Sequence, residues 1–115
     1  MHRDLQRIFD HFSKHTIAII GSAVHDLNHA RDIDVLFLSQ VNFPALVRAL
    51  GVTYQGWNRN GHHIRRANYT IPGMARSLQL THVNTVHDFS DHPHCCLLRD
   101  GTMLNRGISF QKRHK

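Results

Sequence analysis

The stretch from Thr16 to Leu38, TIAIIGSAVHDLNHARDIDVLFL, constrains the fold of this chain more than any other. An apolar run, Ile17-Ala18-Ile19-Ile20, ends at Gly21-Ser22, and ten residues after Ser22 a second apolar run opens with Asp32-Ile33-Asp34-Val35. Side chains two apart in a strand point to the same face, so Asp32 and Asp34 are expected to present two carboxylates side by side. Like charges that close repel and shift each other's pKa. A hard divalent cation, Mg²⁺ or Mn²⁺, relieves that repulsion through oxygen ligands and can still share substrate phosphates. Gly21-Ser22 suits a tight turn into a helix N-terminus, where backbone N–H groups attract phosphate. A phosphate cradle followed by a carboxylate pair predicts a nucleotide site.

Gly21-Ser22, then nine residues, then Asp32-Ile33-Asp34-Val35 resembles the signature of the DNA polymerase β-type nucleotidyltransferase superfamily. The chain is most similar to its small stand-alone members, the minimal and phage nucleotidyltransferase-like proteins. The resemblance covers the first half of the chain firmly and the second half loosely. It implies that Asp32 and Asp34 hold the metal, that Gly21 and Ser22 hold the triphosphate, and that the fold is α/β (α+β in some schemes). In that fold a small mixed sheet carries helices packed mainly on one face. It also implies transfer of a nucleotidyl group from an NTP to a hydroxyl on RNA, a protein or a small molecule, with release of pyrophosphate.

A chain of 115 residues is expected to form one domain spanning 1–115. No apolar run approaches the ~18 residues of a membrane span and no signal peptide opens the sequence. A cytoplasmic protein is therefore expected, in the host cytoplasm if phage-encoded. The formal net charge is +6, all eight acids are Asp, and basic residues are mostly Arg. Arginine recognises phosphate bidentately, which favours nucleotide or nucleic acid, or an acidic protein partner. A GC-rich coding sequence gives the same bias. Cys95 and Cys96 are adjacent, so no disulfide framework is expected.

The apolar positions Leu5, Ile8, Phe9 and Phe12 predict a helix over His2 to Lys14. Strands are expected over Thr16 to Ile20 and Asp32 to Leu38, with a short helix Ser22 to His29 between them. Asn42 to Leu50 reads as a helix, with Asn42 as N-cap, Pro44 in its first turn and Gly51 after its end. Val52 to Trp57, His62 to Ile71, Ala75 to Val83 and Cys95 to Leu98 read as further strands. Asn60-Gly61 favours a hairpin between the first two. Asn84 to Asp91 reads as a short helix or turn, and the basic tail Gln111 to Lys115 is expected to fray.

The superfamily carries a third acid on a later strand, and here Gln79 stands at its expected place in Leu78-Gln79-Leu80. A neutral amide orients an oxygen but is no base near neutral pH. His82, Asp88 and Asp91 are the other candidates for that role, although an odd separation from Gln79 sets His82 on the opposite strand face. The missing acid also supports an alternative: a catalytically inactive relative that binds nucleic acid or a host protein. A third reading is a small basic RNA-binding domain. Arg59, His62, His63, Arg65 and Arg66 crowd a hairpin beside Trp57 and Tyr69, which suits phosphate contact and base stacking, or simply a soluble edge. The hairpin is expected to lean over the substrate. His25 and His29, four apart on the short helix, share a face that would reach the triphosphate. His87, His92, His94, Cys95 and Cys96 are metal-ligand types without paired spacing. With little room for an acceptor-binding domain, an oligomer or partner is expected to complete the cleft.

Overall fold

Helix-forming periodicity at the N-terminus yields α1, Arg3–His11, which buries Leu5, Ile8 and Phe9. Its start is capped by His2, whose Nδ1 accepts the Asp4 N–H at 3.0 Å. Its far end is tied to a distant loop, because the Arg99 guanidinium donates to the carbonyls of Phe9, Phe12 and His15. Carbonyls at a helix C-terminus lack intrahelical donors, and the guanidinium supplies some of that need here. In this computed structural model residues 1–104 are described; the basic tail expected to fray lies outside them.

The two apolar runs form β1, Ile17–Ile20, and β2, Ile33–Phe37, paired antiparallel with Ile20 opposite Asp34. Between them the expected helix is shorter: α2 covers Ser22–His25 alone, and a separate 3-10 turn covers Leu27–His29. Asp26 breaks it, adopting an extended φ of −149° and taking the His29 ring on its carboxylate at 2.7 Å. His25 and His29 therefore do not share a helical face. α3, Phe43–Ala49, begins as expected, with Asn42 Oδ1 accepting the Ala45 N–H and Pro44 in the first turn.

β3, Gln55–Arg59, and β4, His62–Tyr69, form a hairpin through Asn60 and Gly61, both at positive φ (51° and 82°). That is the geometry Asn-Gly favours in a two-residue turn. The strand starts three residues later than the sequence pattern predicts and runs into the turn cluster. β5, Leu78–Val83, inserts between β4 and β2, antiparallel to the first and parallel to the second. β6, Cys96–Leu97, and β7, Met103–Leu104, extend the other edge. The result is a seven-stranded mixed sheet, β3-β4-β5-β2-β1-β6-β7, with three α-helices among the described residues. No helix among them is long and apolar enough to cross a membrane.

The two faces of the sheet are covered unequally. α1 and α3 both pack on the face carrying Ile17, Ile19, Ile33, Val35, Phe37, Leu78 and Leu80, and this side holds the main core. The opposite face is closed only over β1, the far half of β2 and β6, by Val86 and Phe89. Phe89 sits in a 3-10 turn, Phe89–Asp91, that Asp88 and Asp91 cap reciprocally. The remainder of that face, over the start of β2 and across β5, β4 and β3, carries no helix among the described residues.

Candidate active site

Gly21 and Asp34 meet at the start of the open face. Gly21 ends β1 at φ 80° and ψ −159°, a region that only glycine occupies readily. A Cβ on it would stand 2.5 Å from Asp34 Oδ2. The glycine identified as a phosphate turn thus also makes room for the second carboxylate. Asp34 is half-buried, and burial pushes its carboxyl above the ordinary aspartate value; Arg66 pulls it down and Asp32 pushes it up. Asp32 lies just before β2, half-buried like Asp34. Neither acid has an Arg, Lys or His partner at ion-pair distance among the described residues.

Gln79 is the in-register neighbour of Asp34 on the parallel strand β5, and its Nε2 lies 3.5 Å from Asp32 Oδ2. It stands at the position where the resemblance implies a third carboxylate. The other three candidates lie elsewhere. His82 is on the helix-covered face, buried, stacked on Phe43 at 5.4 Å between ring centres and bonded from Nε2 to the Ser39 carbonyl at 3.1 Å. Burial holds its pKa below the ordinary imidazole value, opposed by the Ser39 bond and aided by Arg65 and His63. Asp88 and Asp91 cap the 3-10 turn, whose approach is anchored to Ser39 beyond the far end of β2. Five residues separate Ser39 from Asp34, roughly 16 Å of extended strand. Neither cap residue therefore belongs to the Asp32–Asp34 site.

A cleft of about 640 Å³ opens beside Gln79 on the same face, walled by Gln55, Trp57, Arg66 and Asn68 and by the Gly51–Thr53 segment. Asn68 is the register partner of Gln79, so Asn68, Gln79 and Asp34 form one polar row across three strands. Asn68 and Gln55 were missed in the sequence because only strand pairing brings them to the acids. Ser22 and His25 are exposed on the turn after Gly21.

The basic hairpin is split by strand alternation. Arg66 faces the acids; Arg65 pairs across from His82 on the helix-covered face; Arg59 is exposed next to the Asn60-Gly61 turn. Tyr69 leaves the cluster altogether, its hydroxyl 3.0 Å from His11 Nε2 against α1. His62 and His63 are engaged by Thr85 and Asn58. The hairpin extends the sheet beyond β5. Among the described residues no three His, Cys, Asp or Glu side chains converge as metal ligands. His92 and His94 lie ring to ring at 5.4 Å, and both cysteines are buried thiols. No family model, curated protein or solved structure matches the chain.

Proposed function

We propose that the chain is a minimal nucleotidyltransferase whose NTP and divalent cation are held at Asp32 and Asp34. The observation that carries this reading is the approach of Gly21 to Asp34, which sets a carboxylate against the β1–α2 turn with no ion-pair partner within 4 Å among the described residues. The donor set fits Mg²⁺ or Mn²⁺: two carboxylates without an ion-pair partner, and beside them an amide whose oxygen can turn to the same spot. Such an ion neutralises charge on the transferring phosphate and on the leaving pyrophosphate.

The protein's own part is positioning. Asp32 and Asp34 would hold the ion, the Gly21-Ser22 turn offers backbone N–H groups to the triphosphate, and Arg66 supplies positive charge from across the open face. Asn68, in register with Gln79, gives the cleft an amide edge suited to a nucleoside. In the reaction the acceptor oxygen bonds to the α-phosphorus, the bond from that phosphorus to the α,β-bridging oxygen breaks, and pyrophosphate leaves. Gln79 cannot take the acceptor's proton, which passes to solvent.

Gln79 favours a second reading, a nucleotidyltransferase-like fold that binds nucleotide or nucleic acid without turnover. Titration calorimetry with each of the four NTPs, with and without Mg²⁺, tests the site. Metal-dependent binding that disappears in Asp32→Ala/Asp34→Ala is expected; binding of no NTP overturns the reading. Incubation with α-labelled NTP and acceptor then separates transfer from binding alone.

A further inference from the structure

We propose that the outer strand β3 is a stacking edge for single-stranded nucleic acid, which runs from there along the cleft toward Asp34. That the bound nucleic acid is the acceptor rests on the transferase reading above; the binding itself does not.

Charge is the first observation. From Val35 to His87 the chain contains five arginines and no acidic residue. Four of them, Arg48, Arg59, Arg65 and Arg66, lie on α3 or the β3–β4 hairpin. This edge carries arginines and no acidic residue of its own, as a polyanion site requires, and only Arg66 faces the carboxylates at its inner end.

Aromatic placement is the second. Among the described residues the exposed large aromatics are Tyr54 and Trp57, at 39 % and 38 % exposure. Each has a guanidinium over its ring: Arg65 at 5.8 Å from the Tyr54 centroid and Arg66 at 5.4 Å from that of Trp57. Arg65 and Arg66 are neighbours on β4 and point to opposite faces, so the two aromatic–arginine pairs straddle the sheet edge. Such pairs offer a flat π surface beside a phosphate-binding charge, the combination that holds unstacked bases.

The third observation is continuity. Besides the cleft at Trp57, a second of about 420 Å³ lies at Tyr54, lined by Pro44, Val47 and Arg48. Both clefts are bordered by Val52 and Thr53, so one surface passes around the edge. Its inner end is Gln79, which approaches Asp32 at 3.5 Å. A duplex keeps its base faces stacked and has nothing to lay on Tyr54 and Trp57. An acidic peptide would match the arginines but not the paired aromatic surfaces.

Trp57 is the sole tryptophan, so its fluorescence reports on this edge directly. The full chain is titrated with an oligouridine strand, the same strand annealed to oligoadenosine, and polyglutamate. Saturable quenching by the single strand is expected, with binding that weakens as salt rises by a log–log slope of about −2 to −3 for four arginine contacts. Tyr54→Leu, at an exposed position, is expected to weaken binding of a labelled strand by about tenfold. Arg48→Gln is expected to reduce the salt slope by roughly 0.7. Duplex or polyglutamate bound as tightly as the single strand, or unchanged affinity in Tyr54→Leu, overturns the proposal. Asp32→Asn/Asp34→Asn separates it from the transferase reading. If no NTP binds the wild type while the strand still quenches Trp57, the transferase reading fails and the stacking edge stands. If NTP binds and the strand does not, the reverse holds.

Discussion

Replacing Gly21 by alanine tests the geometry on which the candidate site depends. Two costs are expected. The backbone at φ 80° and ψ −159° is strained for any L-residue, by about 1–3 kcal/mol. The new methyl would also lie 2.5 Å from Asp34 Oδ2 and 3.4 Å from its Cγ. The carboxylate must then move, at a further cost of about 1–3 kcal/mol typical of overpacking. Together these take roughly 2–6 kcal/mol from a domain whose total stability is of order 5–15 kcal/mol. Urea unfolding of Gly21→Ala, Asp34→Ala and the double variant separates the terms. In the Asp34→Ala background the nearest remaining atom is the Asp34 Cβ position at 3.6 Å, an ordinary contact. The alanine should then cost less by the steric part, a coupling of about 1–3 kcal/mol. Gly61→Ala is the control: its φ is 82° and nothing lies within 4 Å, so only a backbone cost of about 1–2 kcal/mol is expected. Equal costs of Gly21→Ala in both backgrounds would refute the close packing of Gly21 on Asp34. Calorimetry on Gly21→Ala, if it remains folded, should show NTP·Mg²⁺ binding weakened with the displaced carboxylate.

Three further outcomes are expected. Gln79→Asp adds a third acid beside Asp32 and Asp34, so it should destabilise the metal-free protein at neutral pH and strengthen Mg²⁺ binding; thermal melts with and without Mg²⁺ read both, and a variant unmoved by the ion counts against a metal at this site. Arg99→Ala removes a charged donor from three carbonyls at the end of α1 and should cost about 2–3 kcal/mol in urea unfolding, with Arg99→Lys recovering only part because an ammonium cannot fork. His82 and His92 both titrate below the ordinary imidazole value in the folded state, chiefly through burial. The unfolded chain therefore takes up protons first as pH falls through about 6.5, and stability should be full above that pH and decline below it. His82→Gln should flatten the decline between pH 7 and 5, and an unchanged slope would remove His82 from the account.

The first half of the fold was legible because its signals are local. The apolar runs Ile17–Ile20 and Val35–Leu38 fix β1 and β2, Asn42 and Pro44 fix the start of α3, and Asn60-Gly61 fixes the hairpin. The break at Asp26 was not legible, since it depends on one side chain taking the His29 ring instead of continuing the helix. At the site, Gly21, Asp32 and Asp34 were picked out by spacing and Gln79 through the resemblance, and the structure sets the four side by side. Asp88 and Asp91 have the right chemistry in the wrong place. They satisfy backbone N–H groups in a turn at the other end of β2. Nothing in their spacing distinguishes a capping carboxylate from a ligand.

The hairpin shows why composition alone misplaces function. Arg65 and Arg66 are adjacent, and a cluster of charge in sequence invites the idea of one patch. Alternation in β4 sends them to opposite sides of the sheet, one toward Phe43's face with its Nε buried and unpartnered, the other toward the acids. Their separation matters because the helices cover only one of those sides. α1 and α3 both close on the face that holds Ala67 and Leu80, so Arg66, Asn68, Gln79 and Asp34 remain open as a row. A one-sided sheet places every second residue of β4, β5 and the start of β2 in a single accessible field. The carboxylates, the amides and the arginine that serve the proposed chemistry all fall on that side. A one-residue slip of β4 would put Arg65 and Ala67 in the places of Arg66 and Asn68, replacing the amide beside Gln79 with a methyl group and turning Arg66 and Asn68 into the core. The Asn60-Gly61 turn pins β3 to β4, while burial of Ala67 beside Leu80 on the helix-covered face pins β4 to β5, so the site depends on core residues behind it as much as on those that line it.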